Sequence, residues 1–113
     1  LDIQKNYTDK GGMFWLAIDE HDRVIGSVGV SIMENEIECY IHRLFIKYNQ
    51  KHKGIGTELL STAEAYAIKK GKIATIVHLG KSKEQWFEAW AFYPKHGYVE
   101  IEDNIMRKEL KKL

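Results

Sequence analysis

Residues 48 to 60 read YNQKHKGIGTELL, and this stretch decides how the rest of the chain is interpreted. The basic run 51–53 stands directly before Gly54 and Gly56, and a helical pattern begins at the first of these glycines. The first amides of a helix have no partner inside it, and the helix dipole adds positive charge there. Glycines also let a bulky anion approach the main chain. The stretch therefore predicts a cradle for a phosphate or pyrophosphate.

A structural explanation of the same stretch stays open on the local pattern alone. A tight strand-to-helix turn with solvated lysines would need the same residue types. The stretch lacks the third glycine of the dinucleotide-binding fingerprint and the Lys-Ser/Thr ending of a P-loop. The prediction of an anion site therefore needs support from the rest of the sequence.

The composition is typical of one globular domain. The 113 residues are 44% hydrophobic and 29% charged, which suffices for one core but not two. Seventeen basic and sixteen acidic side chains leave a net charge of +1, so the overall field favours no polyanionic partner. Cys39 is the single cysteine, which excludes an internal disulfide and suits a reducing cytoplasm. No membrane-span or signal-peptide pattern occurs, and the start at Leu1 suggests a fragment or processed form.

Hydrophobic periodicity predicts alternating strands and helices after a polar opening. Strands are predicted at 13–19, 24–33, 37–47, 72–80, 98–102 and 105–110. Helices are predicted from Gly54 to about Lys70 and from about Lys83 to Tyr93. The first three strands would form an antiparallel meander. The fourth follows a whole helix, so it would lie parallel to the third.

Three separated motifs resemble those of the GCN5-related N-acetyltransferase family. LFIKYNQKHKGIG, residues 44 to 56, resembles a strand ending L-x-V followed by R/Q-x-x-G-x-G/A, with Ile46 and Lys51 at the variable places. AWAFYPKHGY, residues 89 to 98, resembles A-x-x-F-Y-E-K-x-G-F, with Pro94 in place of Glu. FWLAIDEHDRVIGSVGV, residues 14 to 30, is similar to the family's early hairpin.

The resemblance implies a fold and an activity. The fold class is α/β, or α+β in some schemes. It has a mixed, largely antiparallel central sheet with one parallel splayed strand pair and helices on both faces, the acyl-CoA N-acyltransferase fold. Residues 1–113 would be a single N-acetyltransferase domain, short at its N-terminus, which lacks the family's usual first strand and following helices. The implied reaction transfers the acetyl group of acetyl-CoA to a primary amine of a small molecule or protein.

Two other functions remain as alternatives. The missing N-terminal part normally forms one wall of the acceptor site, so a non-catalytic coenzyme A-binding module of the same fold is the first. A nucleic-acid-binding domain that uses the KHK run is the second, and the balanced charge argues against it. We expect a cytoplasmic protein with neither nucleic-acid nor membrane partners, and a homodimer is compatible with this interpretation.

The resemblance also implies the cofactor residues. Acetyl-CoA lies in a V between two parallel strands in this family, with its pyrophosphate on the following helix start. The main chain that would pair with pantetheine belongs to Leu44, Phe45 and Ile46. The residues that would hold the pyrophosphate are Lys51, His52, Lys53, Gly54, Ile55, Gly56 and Thr57.

Tyr93 matches the family's general acid. The phenol has a pKa near 10, and the thiol that leaves has a pKa about 1.5 units lower. The phenol could protonate the thiolate if the site adjusts these pKa values. A core aromatic at a helix end is the structural alternative. Pro94 is expected to bias Tyr93 away from helical geometry.

The resemblance implies that the catalytic base of the family's histone-acetylating members would stand at Tyr40, counted back from Leu44. Tyrosine is a poor base at neutral pH, but His42 shares the same strand face and has a suitable pKa. His42 is therefore the predicted base, with a hydrogen-bonded structural histidine as the alternative. Tyr40 is predicted to contact the acceptor.

Trp86 takes the place of a common family asparagine and is the second predicted substrate residue. Together with Trp90 it would favour an acceptor with an apolar or cationic body, although such an aromatic stripe is also typical of a core. Cys39 is interpreted as a small buried strand residue rather than a nucleophile.

The remaining histidines predict no metal site. His21 and His96 are interpreted as loop residues. They show no metal-ligand spacing with His52 and His78.

Overall fold

The computed structural model describes residues 2–7, 12–32, 36–51, 53–80 and 87–111. Their strands are β1 (Asp2–Tyr7), β2 (Met13–Ile18), β3 (Val24–Ile32), β4 (Glu38–Ile46), β5 (Ala74–His78), β6 (Val99–Glu102) and β7 (Ile105–Glu109). Their helices are α1 (Ile55–Lys69) and α2 (Phe87–Lys95), and a short 3-10 turn spans Tyr48–Gln50. None of these helices is long and apolar enough to cross a membrane.

All seven strands form one sheet in the order β1-β2-β3-β4-β5-β7-β6. Every neighbouring pair is antiparallel except β4 and β5, which run parallel on either side of the α1 crossover. The prediction of a mixed, largely antiparallel sheet with one parallel pair is confirmed. The antiparallel meander of β2, β3 and β4 is confirmed with it.

The parallel pair separates part-way along β4. Pairing between β4 and β5 ends at Ile41 and Val77, whereas β4 continues to Ile46. Beyond that point Arg43 adopts a left-handed φ of 54° and the register between β3 and β4 shifts. An extra residue on one strand makes that strand bend. The bulge therefore coincides with the point where β4 and β5 part.

The main core lies between the sheet and α1. Leu59, Leu60, Ala63 and Ala67 of α1 are fully buried. Trp15 of β2 meets Tyr66 of α1 edge to face, with 5.3 Å between ring centroids. Truncating one such buried leucine to alanine typically costs about 2–5 kcal/mol, so this helix is firmly anchored.

Both described helices contact this same face of the sheet. Phe92 of α2 faces Gly56 of α1, and Tyr93 of α2 packs against the ring of Tyr98, whose hydroxyl is bonded to α1. The helical layer predicted for the other face has no counterpart among the described residues.

Strand β1 was not expected from the sequence. The polar opening forms a strand that pairs with β2 from Asp2↔Ile18 to Tyr7↔Met13. β1 lies at the sheet edge and pairs with one strand only, so it can be more polar than the strands inside the sheet.

The end of α2 also differs from prediction. Residues 83–86 of the predicted helix lie outside the described part, and the helix continues through Pro94 to Lys95. The expectation that Pro94 moves Tyr93 out of helical geometry is therefore wrong. Pro94 removes one helical hydrogen bond, from residue 94 to the carbonyl of Trp90, and only Lys95 of the helix follows it. Gly97, with φ 91°, then ends the helix in a left-handed cap.

A buried polar network ties α1 to three other segments. The Tyr98 hydroxyl donates to Glu64 Oε2 at 2.8 Å and lies 2.7 Å from Thr75 Oγ1. Lys108 Nζ donates to the other oxygen of Glu64 at 3.0 Å. Buried polar groups are costly without partners, so the network depends on the Tyr98 hydroxyl.

We expect Tyr98→Phe to lower the free energy of unfolding by about 1–3 kcal/mol, because Glu64 and Thr75 lose a buried partner. Urea unfolding measures the change. Tyr66→Phe is the matched control, since no hydrogen bond to the Tyr66 hydroxyl occurs within the described residues. Equal stability of both variants would contradict a structural role for the network.

Candidate functional site

A cavity of about 320 Å³ opens where β4 and β5 separate. Its walls are residues 41–44 of β4, residues 77–79 at the end of β5, and Ala89 and Tyr93 of α2. Pockets of a few hundred Å³ suit small molecules and cofactors. The wall includes the two predicted catalytic residues, His42 and Tyr93.

The main chain of β4 borders this gap without a β5 partner. The amide of Lys47 donates to the carbonyl of Ile25 on β3 at 2.9 Å. Main-chain groups alternate sides along a strand, so those of Leu44 and Ile46 face away from β3, into the gap. Phe45 differs, because its main chain faces β3 and its side chain is 59% exposed on the other sheet face. The structure thus brings two of the three predicted pantetheine-pairing residues to the cleft.

The start of α1 is the predicted pyrophosphate site. Gly54 precedes the helix with a left-handed φ of 80°, and no side chain caps the helix. The first helical hydrogen bond runs from the amide of Glu58 to the carbonyl of Gly54. The amides of residues 55–57 are therefore not used within the helix, and such an end attracts anions. The Ile55 side chain is buried, so Ile55 can offer only its amide.

The basic residues before α1 are already engaged. Lys51 Nζ lies 3.0 Å from Glu88 Oε2 of α2, and Lys53 Nζ lies 3.3 Å from Gln50 Oε1. Both contacts are exposed, and an exposed ion pair such as that of Lys51 with Glu88 contributes at most about 1 kcal/mol. A bound phosphate could therefore replace Glu88 as the partner of Lys51 at low cost. His52 lies outside the described residues.

Gly56 makes room for α2 in this structure. A Cβ on Gly56 would point at Phe92 of α2, 3.4 Å from its ring, and not outward to a ligand. Its small size lets α2 approach the first turn of α1. The contribution of the Gly56 main chain to a phosphate site stays a prediction. Gly54 has nothing within 4 Å of such a Cβ, so its conformation rather than its size requires glycine.

His96 is a neighbour of this site that sequence reasoning missed. His96 Nε2 lies 3.3 Å from Thr57 Oγ1, and its ring lies 4.5 Å from that of Phe92. The interpretation of His96 as a simple loop residue is incomplete. The sequence contained one signal for this position, because His96 follows Tyr93 by three residues in the motif at 89–98. That motif packs against the start of α1 in the fold.

Tyr93 is buried but turns toward the cavity. Its ring packs against those of Phe92 and Tyr98, with centroids 5.3 and 5.2 Å away. Within the described residues, no hydrogen bond to its hydroxyl is found. Burial raises the pKa of Tyr93 well above the ordinary value near 10, so the phenol keeps its proton at neutral pH.

His42 is held in place on the opposite wall. Its Nε2 lies 2.8 Å from Ser31 Oγ, and a Cβ on Gly29 would come within 2.5 Å of its ring. Gly29 therefore provides the room that the imidazole occupies. Burial, with a smaller effect from the Arg43 charge, lowers the pKa of His42, so the neutral ring is favoured.

The predicted substrate residues are only partly described. Tyr40 lies on the same sheet face as His42, as predicted, and its ring is 5.5 Å from that of His78. Trp86 lies outside the described residues. Trp90 packs against the core.

Cys39 is fully buried on the α1 side of β4, which confirms its interpretation as a buried strand residue. Burial raises the pKa of its thiol to about 11, so it is neutral and unreactive at neutral pH.

Within the described residues, no group of three or more His, Cys, Asp or Glu side chains could hold a metal ion.

Comparison with known proteins identifies this architecture. The sequence profile of the acetyltransferase (GNAT) family matches residues 1–98, which is most of the chain. The chain belongs to the GNAT acetyltransferase family. A search of curated protein sequences gives no match.

Solved GNAT structures share the fold. An acetyltransferase of the GNAT family from Staphylococcus aureus Mu50 has a TM-score of 0.81 at 22% identity, over 94% of this chain and 72% of that one. Tetrahymena GCN5 has a TM-score of 0.75 at 12% identity, over 93% and 72%. At these identities the likeness shows the fold alone.

A third GNAT structure contains the cofactor. PaiA N-acetyltransferase from Thermoplasma acidophilum, solved in complex with coenzyme A, has a TM-score of 0.71 at 27% identity. The match covers 87% of this chain and 60% of that one. GNAT proteins of this fold bind coenzyme A or acetyl-CoA.

Replacing Gly54 or Gly56 at the start of α1 with alanine should change the stability of the protein differently. Gly54→Ala places a side chain at a left-handed φ and should lower the free energy of unfolding by about 1 kcal/mol or more. Gly56→Ala meets only ordinary contacts and should be neutral or stabilising by up to about 1 kcal/mol, through better helix propensity. Urea unfolding of both variants tests this difference, and the opposite order would contradict the assigned conformations.

The lowered pKa of His42 predicts a pH dependence of stability. The folded-state pKa lies below the unfolded value near 6.5, so the stabilising contribution is complete above about pH 6.5. It is lost as pH falls through the folded-state pKa. Between about pH 7.5 and 5.5, the wild type should therefore lose more unfolding free energy than His42→Gln. Equal losses would show that His42 titrates alike in both states.

Proposed function

We propose that this protein transfers the acetyl group of acetyl-CoA to a primary amine of a small molecule or protein. One observation carries the proposal. The largely buried Tyr93, whose hydroxyl has no partner in the described chain, lines the cavity between the open main chain of β4 and α2. Membership of the GNAT family supports the reaction class.

The residues of the cleft fit the cofactor. The main chain of Leu44 and Ile46 would pair with an extended amide-containing chain, as the edge of a strand does. The open amides of residues 55–57, together with Lys51 and Lys53, would hold the diphosphate. Acetyl-CoA supplies an acetyl group activated as a thioester.

His42 would act as the base. Only a neutral amine attacks a thioester, so one proton must leave the acceptor nitrogen. The lowered pKa keeps His42 neutral, and Ser31 fixes one ring nitrogen. If Nε2 donates to Ser31, Nδ1 is the nitrogen that accepts the proton.

Tyr93 would supply a proton to the departing sulfur. In the overall reaction the carbon–sulfur bond breaks, a carbon–nitrogen bond forms, and the sulfur gains a proton. Burial makes the Tyr93 phenol a weak acid, so its hydroxyl acts first as a hydrogen-bond donor toward developing negative charge. Its proton is then transferred as that charge grows.

Tyr93→Phe should lower kcat by about 100-fold or more, since general acid catalysis typically contributes this much. The dissociation constant for coenzyme A should change little, because the cofactor groups named above are untouched. Thiol release with a panel of amines measures kcat, and calorimetry measures binding. Tyr66→Phe, which alters a tyrosine on the far part of α1, serves as control. An unchanged kcat in Tyr93→Phe would rule out the acid role.

A non-catalytic coenzyme A-binding module is the second candidate. The raised pKa of Tyr93 favours it, because a weak acid is a poor proton donor. Coenzyme A binding without thiol release from any amine would establish this function. Absence of coenzyme A binding would contradict both candidates. We also propose a cytoplasmic location, which suits a chain whose single cysteine is free and buried. We further propose that the protein has neither nucleic-acid nor membrane partners.

A further inference from the structure

The cavity wall carries fixed positive charge and lacks negative charge. Arg43 belongs to the wall together with His42 and His78. No Asp or Glu belongs to it within the described residues. Such a wall disfavours a polycationic acceptor, which would need carboxylates nearby.

Arg43 differs from the other arginines of the chain. Arg23 pairs with Asp19 at 3.2 Å, and Arg107 pairs with Glu38 at 2.5 Å. In the described part of the chain, Arg43 has no carboxylate partner. A guanidinium is always charged and offers a planar set of donors suited to carboxylate or phosphate.

The bulge fixes the main chain of Arg43 at the mouth of the cleft. Its φ is 54°, and its carbonyl accepts a hydrogen bond from Ser27 Oγ at 2.9 Å. The next residue, Leu44, turns its main chain into the gap. The Arg43 charge also acts on His42, whose pKa it helps to lower. The arginine therefore lies beside the proposed proton acceptor.

The neighbouring part of this sheet face is neutral. By strand register, Ser27, Ser31, Tyr40 and Phe45 share the face near Arg43. Two carboxylates that share the face, Glu38 and Glu109, both contact Arg107. Neither of them therefore compensates Arg43.

We propose that the acceptor is an amine that also carries an anionic group, a carboxylate or a phosphate, and that Arg43 binds this group. The inference rests on the proposed acetyl transfer and names its substrate class. Arg43 is then a specificity-determining residue, since it contacts the part of the acceptor that does not react.

Matched amines test the proposal. γ-Aminobutyrate and ε-aminocaproate are compared with their primary amides, with kcat/KM scaled to the neutral amine fraction. The wild type should favour the carboxylates by about tenfold or more, as expected for a charge-assisted contact. Arg43→Gln should bring this ratio close to about one, whereas Arg43→Lys should retain part of it. The corresponding phosphonates distinguish a phosphate-bearing acceptor from a carboxylate-bearing one.

A binding measurement separates this inference from the reaction itself. Calorimetry with ε-acetamidocaproate and its amide, in saturating coenzyme A, needs no turnover. Tighter binding of the carboxylate by the wild type, lost in Arg43→Gln, would support the anion site even if no amine reacts. Equal binding of both compounds, or an amine preference unchanged in Arg43→Gln, would overturn it.

Discussion

The end of hydrogen bonding between β4 and β5 is the constraint on which the candidate site depends. Up to Ile41 and Val77 the two strands form an ordinary parallel ladder. The left-handed residue Arg43 then bends β4 and leaves its main chain without a neighbour on one side. Without this separation, there would be neither a cavity nor free main-chain groups for a cofactor. The candidate site of this chain is therefore built on a local interruption of the sheet.

Much of the fold could be predicted because its signals are local and repetitive. The α1 helix and the strands β2 to β5 have strong apolar periodicity, and turn residues separate them. β1 was missed because an edge strand buries little and carries no such signal. Pro94 was misjudged because propensity rules describe a helix interior, whereas this proline stands beside the helix end set by Gly97.

The sequence predicts which residues line the candidate site better than it predicts what each of them contacts. Motif spacing gave Tyr93, and strand alternation gave the shared face of Tyr40 and His42. The surroundings of Phe45, Gly56 and His96 could not be predicted in this way. Their roles depend on which side of a bulged strand faces the gap and on how α2 packs across α1. Such contacts join residues about 40 positions apart, so no local pattern contains them.

The contact between Lys51 and Glu88 affects how strongly the affinity for the cofactor should depend on ionic strength. Glu88 acts as counter-ion to Lys51, a lysine of the proposed diphosphate site. Cofactor binding would then exchange one anion for another at this lysine and release fewer mobile salt ions than a bare basic loop would. The affinity should accordingly vary less with added salt than a count of basic side chains suggests.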